Sequence, residues 1–146
     1  MLKVGDKAPA FNIPDQNGKV RTLSDFSDKW LLLYFYPKDF TSGCTTEACT
    51  FRDNYNVLEK VAHIVGVSAD SVATHKKFEK KHGLQFPLLA DTDRAMTKEY
   101  GANGFLFPKR VSFLIDKKGV IRKIYKSVQP AEHADQVLRD INSLGI

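Results

Sequence analysis

Trp30-Leu31-Leu32-Leu33-Tyr34-Phe35-Tyr36-Pro37-Lys38-Asp39-Phe40-Thr41-Ser42-Gly43-Cys44-Thr45-Thr46-Glu47-Ala48-Cys49 is the stretch from which the fold of this chain can be read. From Trp30 to Tyr36 it is apolar or aromatic without alternation, the pattern of a strand buried on both faces. Pro37 ends that strand. From Gly43 to about Lys60 the residues Ala48, Phe51, Tyr55 and Leu58 recur at spacings of three and four, which predicts a helix directly after the strand. Both cysteines of the chain, Cys44 and Cys49, fall in that helix, five residues apart. A strand that delivers one thiol to the first turn of a helix and a second thiol further along it outlines a redox site.

Outward from this unit the rhythm continues. Phe11-Asn12-Ile13 and Lys19-Val20-Arg21-Thr22-Leu23 flank Asp15-Gln16-Asn17-Gly18, a hairpin signal, and Ser24 reads as the N-cap of a short turn. On the other side come a strand over His63–Ser68, a helix from about Ser71 to His82 closed by Gly83, and a short strand Phe86–Leu89. A helix from about Thr92 to Tyr100 follows, stopped by Gly101. Val111–Asp116 and Val120–Tyr125, joined through Lys117-Lys118-Gly119, read as a second hairpin, and a helix from about Ala131 to Leu144 ends the chain. Strands alternating with helices, then an antiparallel pair, predict an α/β thioredoxin-like fold: a central mixed sheet with helices on both faces and an N-terminal β-hairpin, in one domain spanning residues 1–146.

The composition narrows the function classes. With 42% hydrophobic and 27% charged residues in 146, the chain can bury a real core and is not of disordered type. Its longest apolar run, Trp30–Tyr36, is far short of the roughly 20 residues that cross a bilayer, so no membrane span is expected. The opening Met1-Leu2-Lys3-Val4-Gly5-Asp6 has no leader pattern, so a cytoplasmic location is expected; a chain trimmed of a leader would read the same. The formal charge of +5 is densest at Lys76–His82, which reads as a solvated helix face, and no nucleic-acid motif accompanies it. The four histidines have no ligand spacing around the cysteines, so no metal is expected.

The chemistry follows from what a thiol needs. At its ordinary pKa a free thiol is only about 3% ionised at pH 7, and the thiolate is the nucleophile. In the first turn of a helix the unpaired N–H groups and the positive end of the macrodipole favour an anion, which makes Cys44 the better nucleophile of the two. Full ionisation gains only about thirtyfold, while enzymes accelerate by ~10⁶ or more, so other groups must orient the substrate and stabilise developing charge. Thr41, three residues before Cys44, offers a hydroxyl, and an arginine from a later strand offers a fixed fork of donors.

The pattern Pro37-x-x-x-Thr41-x-x-Cys44 resembles the active-site signature of the peroxiredoxins. Its extension through Thr45-Thr46-Glu47-Ala48-Cys49 and Phe51-Arg52-Asp53 resembles the peroxiredoxin Q, or bacterioferritin comigratory protein, subfamily. Gly5-Asp6-x-Ala8-Pro9, Asp91, Tyr100-Gly101 and Arg110–Asp116 carry the likeness along nearly the whole chain. The resemblance implies that Cys44 is the peroxidatic cysteine, that Thr41 and Arg110 hold and polarise the peroxide, and that Pro37 shields the thiolate. It also matches Cys49 to a resolving cysteine. It further implies a peroxide substrate, sulfenic acid and disulfide intermediates, no metal or haem cofactor, and recycling by a dithiol protein such as thioredoxin. Ser42 replaces the proline usual in this motif, which loosens the turn and removes no catalytic group.

Glu47 is read either as a partner that aims Arg110 or as a solvated helix residue, and Arg52 as a source of positive potential or half of a surface ion pair. Phe40 and Phe107 are candidates for an apolar entrance. A monomer is expected, because the partner cysteine lies in the same chain. A disulfide oxidoreductase or a thiol redox switch without peroxidase turnover is the competing reading, although four residues rather than two separate the cysteines. Finally, Cα atoms five apart in a regular helix are about 8.7 Å from each other, beyond the ~6.8 Å reach of a disulfide, so a Cys44–Cys49 bond requires the helix to unwind.

Overall fold

The computed structural model describes residues 2–144. Strands β1 (Asn12–Pro14) and β2 (Val20–Thr22) pair antiparallel across a turn in which the Asp15 carboxylate accepts the N–H groups of Asn17 and Lys19, at 2.8 and 3.1 Å. A 3₁₀ turn, Leu23–Phe26, leads into β3 (Trp30–Phe35). Then come α1 (Ser42–Asp53), α2 (Tyr55–Leu58), β4 (Ala62–Ser68), α3 (Val72–His82), β5 (Leu88–Ala90) and α4 (Ala95–Glu99). The chain continues through β6 (Val111–Ile115), β7 (Ile121–Tyr125) and α5 (His133–Ser143).

The main sheet has the order β5-β4-β3-β6-β7, with β3, β4 and β5 parallel and β6 and β7 antiparallel to their neighbours. All six residues of β3 are buried because it is the central strand, with a layer on each face. Leu32 and Tyr34 face a core built with Phe51 of α1, Leu58 of α2, Phe78 of α3 and Val137 and Ile141 of α5. Leu31, Leu33 and Phe35 face the other core, with Phe11, Phe26, Met96 and Tyr100. Phe51 fixes α1 to the sheet: it is fully buried, with its ring centroid 4.9 Å from that of Tyr34. Burying such a side chain contributes about 2–3 kcal/mol.

The outer edge of β5 is closed by Gln16, whose amide donates to the Phe86 carbonyl at 3.0 Å and accepts from the Leu88 N–H at 2.8 Å. The N-terminal hairpin thus covers a strand edge that would otherwise be open to pairing. At the centre, the pairing of Phe35 with Val111 puts Arg110, one residue earlier, level with the point where β3 gives way to the loop before α1.

Several boundaries differ from the sequence expectation, three of them through a local side-chain hydrogen bond. The helix expected to run to Lys60 breaks at Asn54, whose side chain donates to the Thr50 carbonyl at 2.8 Å and competes with the helical ladder. The short turn is capped at Thr22 rather than Ser24, since Asp25 accepts the Thr22 N–H at 2.9 Å. Helix α4 begins at Ala95, not Thr92, because residues 92–94 wind around Asp91 and Asp93. The carboxylate of Asp93 takes the Ala95 N–H and that of Asp91 takes the N–H of Thr97. Strand β5 starts after Pro87, which has no N–H to give. Helix α5 starts at His133 instead of Ala131 and ends at Ser143.

Candidate active site

Cys44 is the third residue of α1 and only 2% exposed, while Thr41 is the N-cap. Arg110 reaches over this first turn. Its Nη2 donates to Cys44 Sγ at 3.3 Å and its Nη1 to Glu47 Oε1 at 2.7 Å, so one guanidinium joins sulfur and carboxylate. A cation donating to a sulfur is electrostatically matched to a thiolate. Burial disfavours the charge on Arg110, but Glu47 and Cys44 outweigh it and raise its pKa above the ordinary value.

Glu47 is not a solvated helix residue. Its side chain is wholly buried one helical turn below Cys44, and burial pushes its pKa up to about 7 in spite of Arg110. Its Oε2 and the Tyr34 hydroxyl are buried without a hydrogen-bond partner among the described residues. Burial, with the Glu47 charge next in size, raises the Tyr34 pKa well above its usual value, so Tyr34 stays a neutral phenol.

The Thr41 hydroxyl is exposed and donates to the Lys38 carbonyl at 2.8 Å. With its hydrogen spent on Lys38, the hydroxyl keeps its lone pairs free to accept a further hydrogen bond. Pro37, half-buried, ends the approach from β3. Cys49 is half-buried further along α1, and both thiols are free. Arg52 pairs with Asp53 at 3.0 Å and donates to the His82 carbonyl at 2.8 Å, which ties α1 to the end of α3.

Phe40 and Phe107 are not built into a closed pocket. Phe40 is 45% exposed with its ring centroid 5.1 Å from that of Phe78, and Phe107 belongs to an exposed run with Phe105 and Leu106. The basic run on α3 is a solvated face, with Lys76 bonded to Glu79 and Asn17. A cavity of about 430 Å³ lined by Phe11, Phe26, Leu31 and Ile115 sits at the far end of β3 from Cys44.

Gly43, between Ser42 and Cys44, is a further residue of the site. A Cβ placed there would lie 3.0 Å from Arg110 Nη2, so any other residue would press on the guanidinium and make it shift by a few tenths of an ångström. The signal was available: glycine inside a helix costs about 1 kcal/mol relative to alanine and asks for a reason.

The AhpC/TSA family profile matches residues 4–124. The chain is 43% identical over 145 residues to the chloroplastic peroxiredoxin Q of Populus jackii, covering 96% of this chain and 68% of that protein. Among solved structures, a cysteine-to-serine mutant of Xylella fastidiosa peroxiredoxin Q superposes with a TM-score of 0.95 at 30% identity over 100% of this chain and 99% of that one. The bacterioferritin comigratory protein of Xanthomonas campestris, described in terms of its alkyl peroxide reduction, gives 0.86 at 34% identity, covering 91% and 90%. Together with the buried Cys44 sulfur under the Arg110 guanidinium, these matches place the chain in the AhpC/TSA family of thiol peroxidases, with relatives named peroxiredoxin Q and bacterioferritin comigratory protein.

Proposed function

We propose that this chain carries out its family's thiol-peroxidase chemistry with Cys44 as the peroxidatic cysteine and Cys49 as the resolving one. The observation that carries the reading is the single Arg110 guanidinium bonded to Cys44 Sγ at 3.3 Å and to the buried Glu47 at 2.7 Å. The fork is immobilised by Glu47 before substrate arrives, so the reorganisation that attack would otherwise require is already complete.

The Cys44 thiolate attacks the hydrogen-bearing oxygen of a hydroperoxide. The S–O bond forms as the O–O bond breaks, leaving a sulfenic acid and an alkoxide or hydroxide that takes a proton from solvent. Thr41 accepts a hydrogen bond from the peroxide O–H through the lone pairs left free by its bond to Lys38, and that hydrogen stays on the oxygen transferred to sulfur. Arg110 donates its remaining N–H groups to the oxygens as charge moves onto the leaving atom, and Pro37 keeps water from the sulfur. The Cys49 thiol then condenses with the sulfenic acid, forming the disulfide and releasing water, and an external dithiol, thioredoxin in our assignment, reduces the bond.

Helix α1 runs unbroken through both cysteines, so the disulfide step requires it to open. Glu47 lies between the two cysteines and must leave Arg110 when it does. Phe40, next to Thr41, and the exposed 105–107 run, just before Arg110, are assigned as an apolar rim for alkyl hydroperoxides. Turnover within one chain supports a monomer, and a cytoplasmic setting suits the reduced thiols. Among the described residues no helix is long and apolar enough to cross a membrane.

The test follows peroxide loss with a dithiol donor. Cys44→Ser abolishes turnover. Cys49→Ser oxidises once, to a sulfenic acid seen by mass, and stops unless another thiol resolves it. The oxidised wild type loses two hydrogens without dimerising. Full turnover by Cys44→Ser rejects the assignment.

A further inference from the structure

Asp39, between Pro37 and Thr41, is buried and lies at the C-terminal end of the parallel strands, the end that also carries Cys44. Its Oδ1 accepts from the Tyr36 hydroxyl at 2.6 Å, and its Oδ2 meets His75 Nδ1 at 2.5 Å, with the Asp39 and His75 side chains both fully buried. His75 Nε2 is 2.9 Å from the Leu89 carbonyl, which can only accept, so that nitrogen carries a hydrogen. The Asp39 N–H donates to Asp70 Oδ2 at 2.9 Å, and the Ser68 hydroxyl donates to the same oxygen at 2.6 Å. The ends of β3, β4 and β5 and the helix α3 thereby converge on one loop residue.

Asp70 is half-buried, but the Asp39 and His75 side chains are fully buried, so these two do not act on peroxide directly. Three of its oxygen and nitrogen atoms, on Asp39, Asp70 and His75, lie within 4.8 Å of one another, as metal ligands would. Each of these residues is instead engaged in protein hydrogen bonds. What the cluster does constrain is the next residue. Phe40 has φ +66, a left-handed conformation that is unfavourable for a non-glycine residue and persists only where surroundings impose it. Left to itself this turn relaxes toward negative φ, and Thr41, the following residue, moves with it.

We propose that the Tyr36–Asp39–His75 hydrogen-bond set is the positioning device for Thr41, clamping residues 38–41 so that the threonine hydroxyl faces a peroxide at Cys44. The inference rests on the peroxidase reading above and adds to it a division of labour. Arg110 approaches the sulfur from the segment before β6, outside this cluster, so loss of the clamp impairs the grip on peroxide and leaves the sulfur's own environment in place.

The experiment compares two reactions of Cys44: oxidation by hydrogen peroxide, which needs Thr41, and alkylation by iodoacetamide, which needs only an accessible thiolate. In Asp39→Ala the peroxide rate constant falls by about tenfold or more while alkylation stays within about twofold of wild type. Asp39→Asn, whose amide can accept from Tyr36 and donate to a neutral His75, recovers most of the peroxide rate. Tyr36→Phe keeps the ring packed and deletes one bond, lowering the ratio of the two rates by about threefold.

Equal losses in both reactions, or a peroxide rate within about twofold of wild type in folded Asp39→Ala, overturns the positioning role. If Asp39→Ala does not fold, an unchanged ratio in Tyr36→Phe overturns it instead. A wild type inert toward peroxide rejects the peroxidase reading and this inference with it, whereas an active wild type with indifferent variants rejects the inference alone.

Discussion

Cys44 and Cys49 share one helix, yet their surroundings differ in kind. Cys44 is 2% exposed and touches a cation brought from a residue 66 positions away in sequence. Cys49 is half-buried, and the nearby Arg52 spends its guanidinium on Asp53 and the His82 carbonyl. In the proposed reaction the first thiol must be held rigidly when a small substrate arrives, whereas the second has only to be delivered as α1 opens. That assignment asks for preorganisation around Cys44 and for local unfolding around Cys49.

The comparison breaks most directly at Arg110. Arg110→Gln removes the donor to the sulfur and leaves Glu47 buried without its counter-ion. The rate constant for peroxide oxidation of Cys44 is expected to fall by about 10²–10³, the size seen when a preorganised donor is lost, in stopped-flow measurements. The same substitution leaves condensation of a preformed sulfenic acid with Cys49 much less affected. Equal losses in both steps would erase the distinction drawn between the two thiols.

Gly43→Ala is the gentler version. The new methyl displaces Arg110 Nη2 without removing it, and the predicted loss is about tenfold in the peroxide step with little change in melting temperature. An unchanged rate would mean that the guanidinium adjusts freely and that its placement matters less than its charge.

The smallest effect concerns pH. Glu47 has a folded pKa of about 7 against an ordinary 4.5, raised chiefly by burial. An acid with a raised folded pKa stabilises the closed helix below about pH 4.5 and loses that contribution as pH rises through 7. Opening of reduced α1, from amide exchange corrected for intrinsic rates, is therefore predicted to increase by several-fold between about pH 5 and 8. Glu47→Gln flattens the profile. A wild-type profile already flat would show that Arg110 keeps Glu47 ionised throughout.

Much of this architecture was legible because its signals are local and redundant. The run Trp30–Tyr36 has one reading as a buried central strand, and the spacing of Ala48, Phe51, Tyr55 and Leu58 has one reading as a helix face. Errors fell where a polar side chain overrides backbone pattern: Asn54 cutting the first helix, and Asp91 and Asp93 delaying α4. In the site, Cys44 and Thr41 stood out by type and spacing, and Arg110 only through the resemblance to the peroxiredoxins. Glu47 remained ambiguous because helical position does not reveal burial. Asp39 and His75 carried no signal at all, since they lie 36 residues apart and meet only through the folded sheet.

Short windows of residues carry the order of strands and helices, the helix start that receives Cys44, and the presence of a second thiol on the same helix. These follow from periodicity and composition over short windows, which neighbours in the chain settle among themselves. Tertiary structure alone decided that Arg110 would touch the sulfur, that Glu47 would be dry and that Asp39 would be caged. Each depends on strand register and on which groups lose water when distant segments pack, and those are properties of the assembled core.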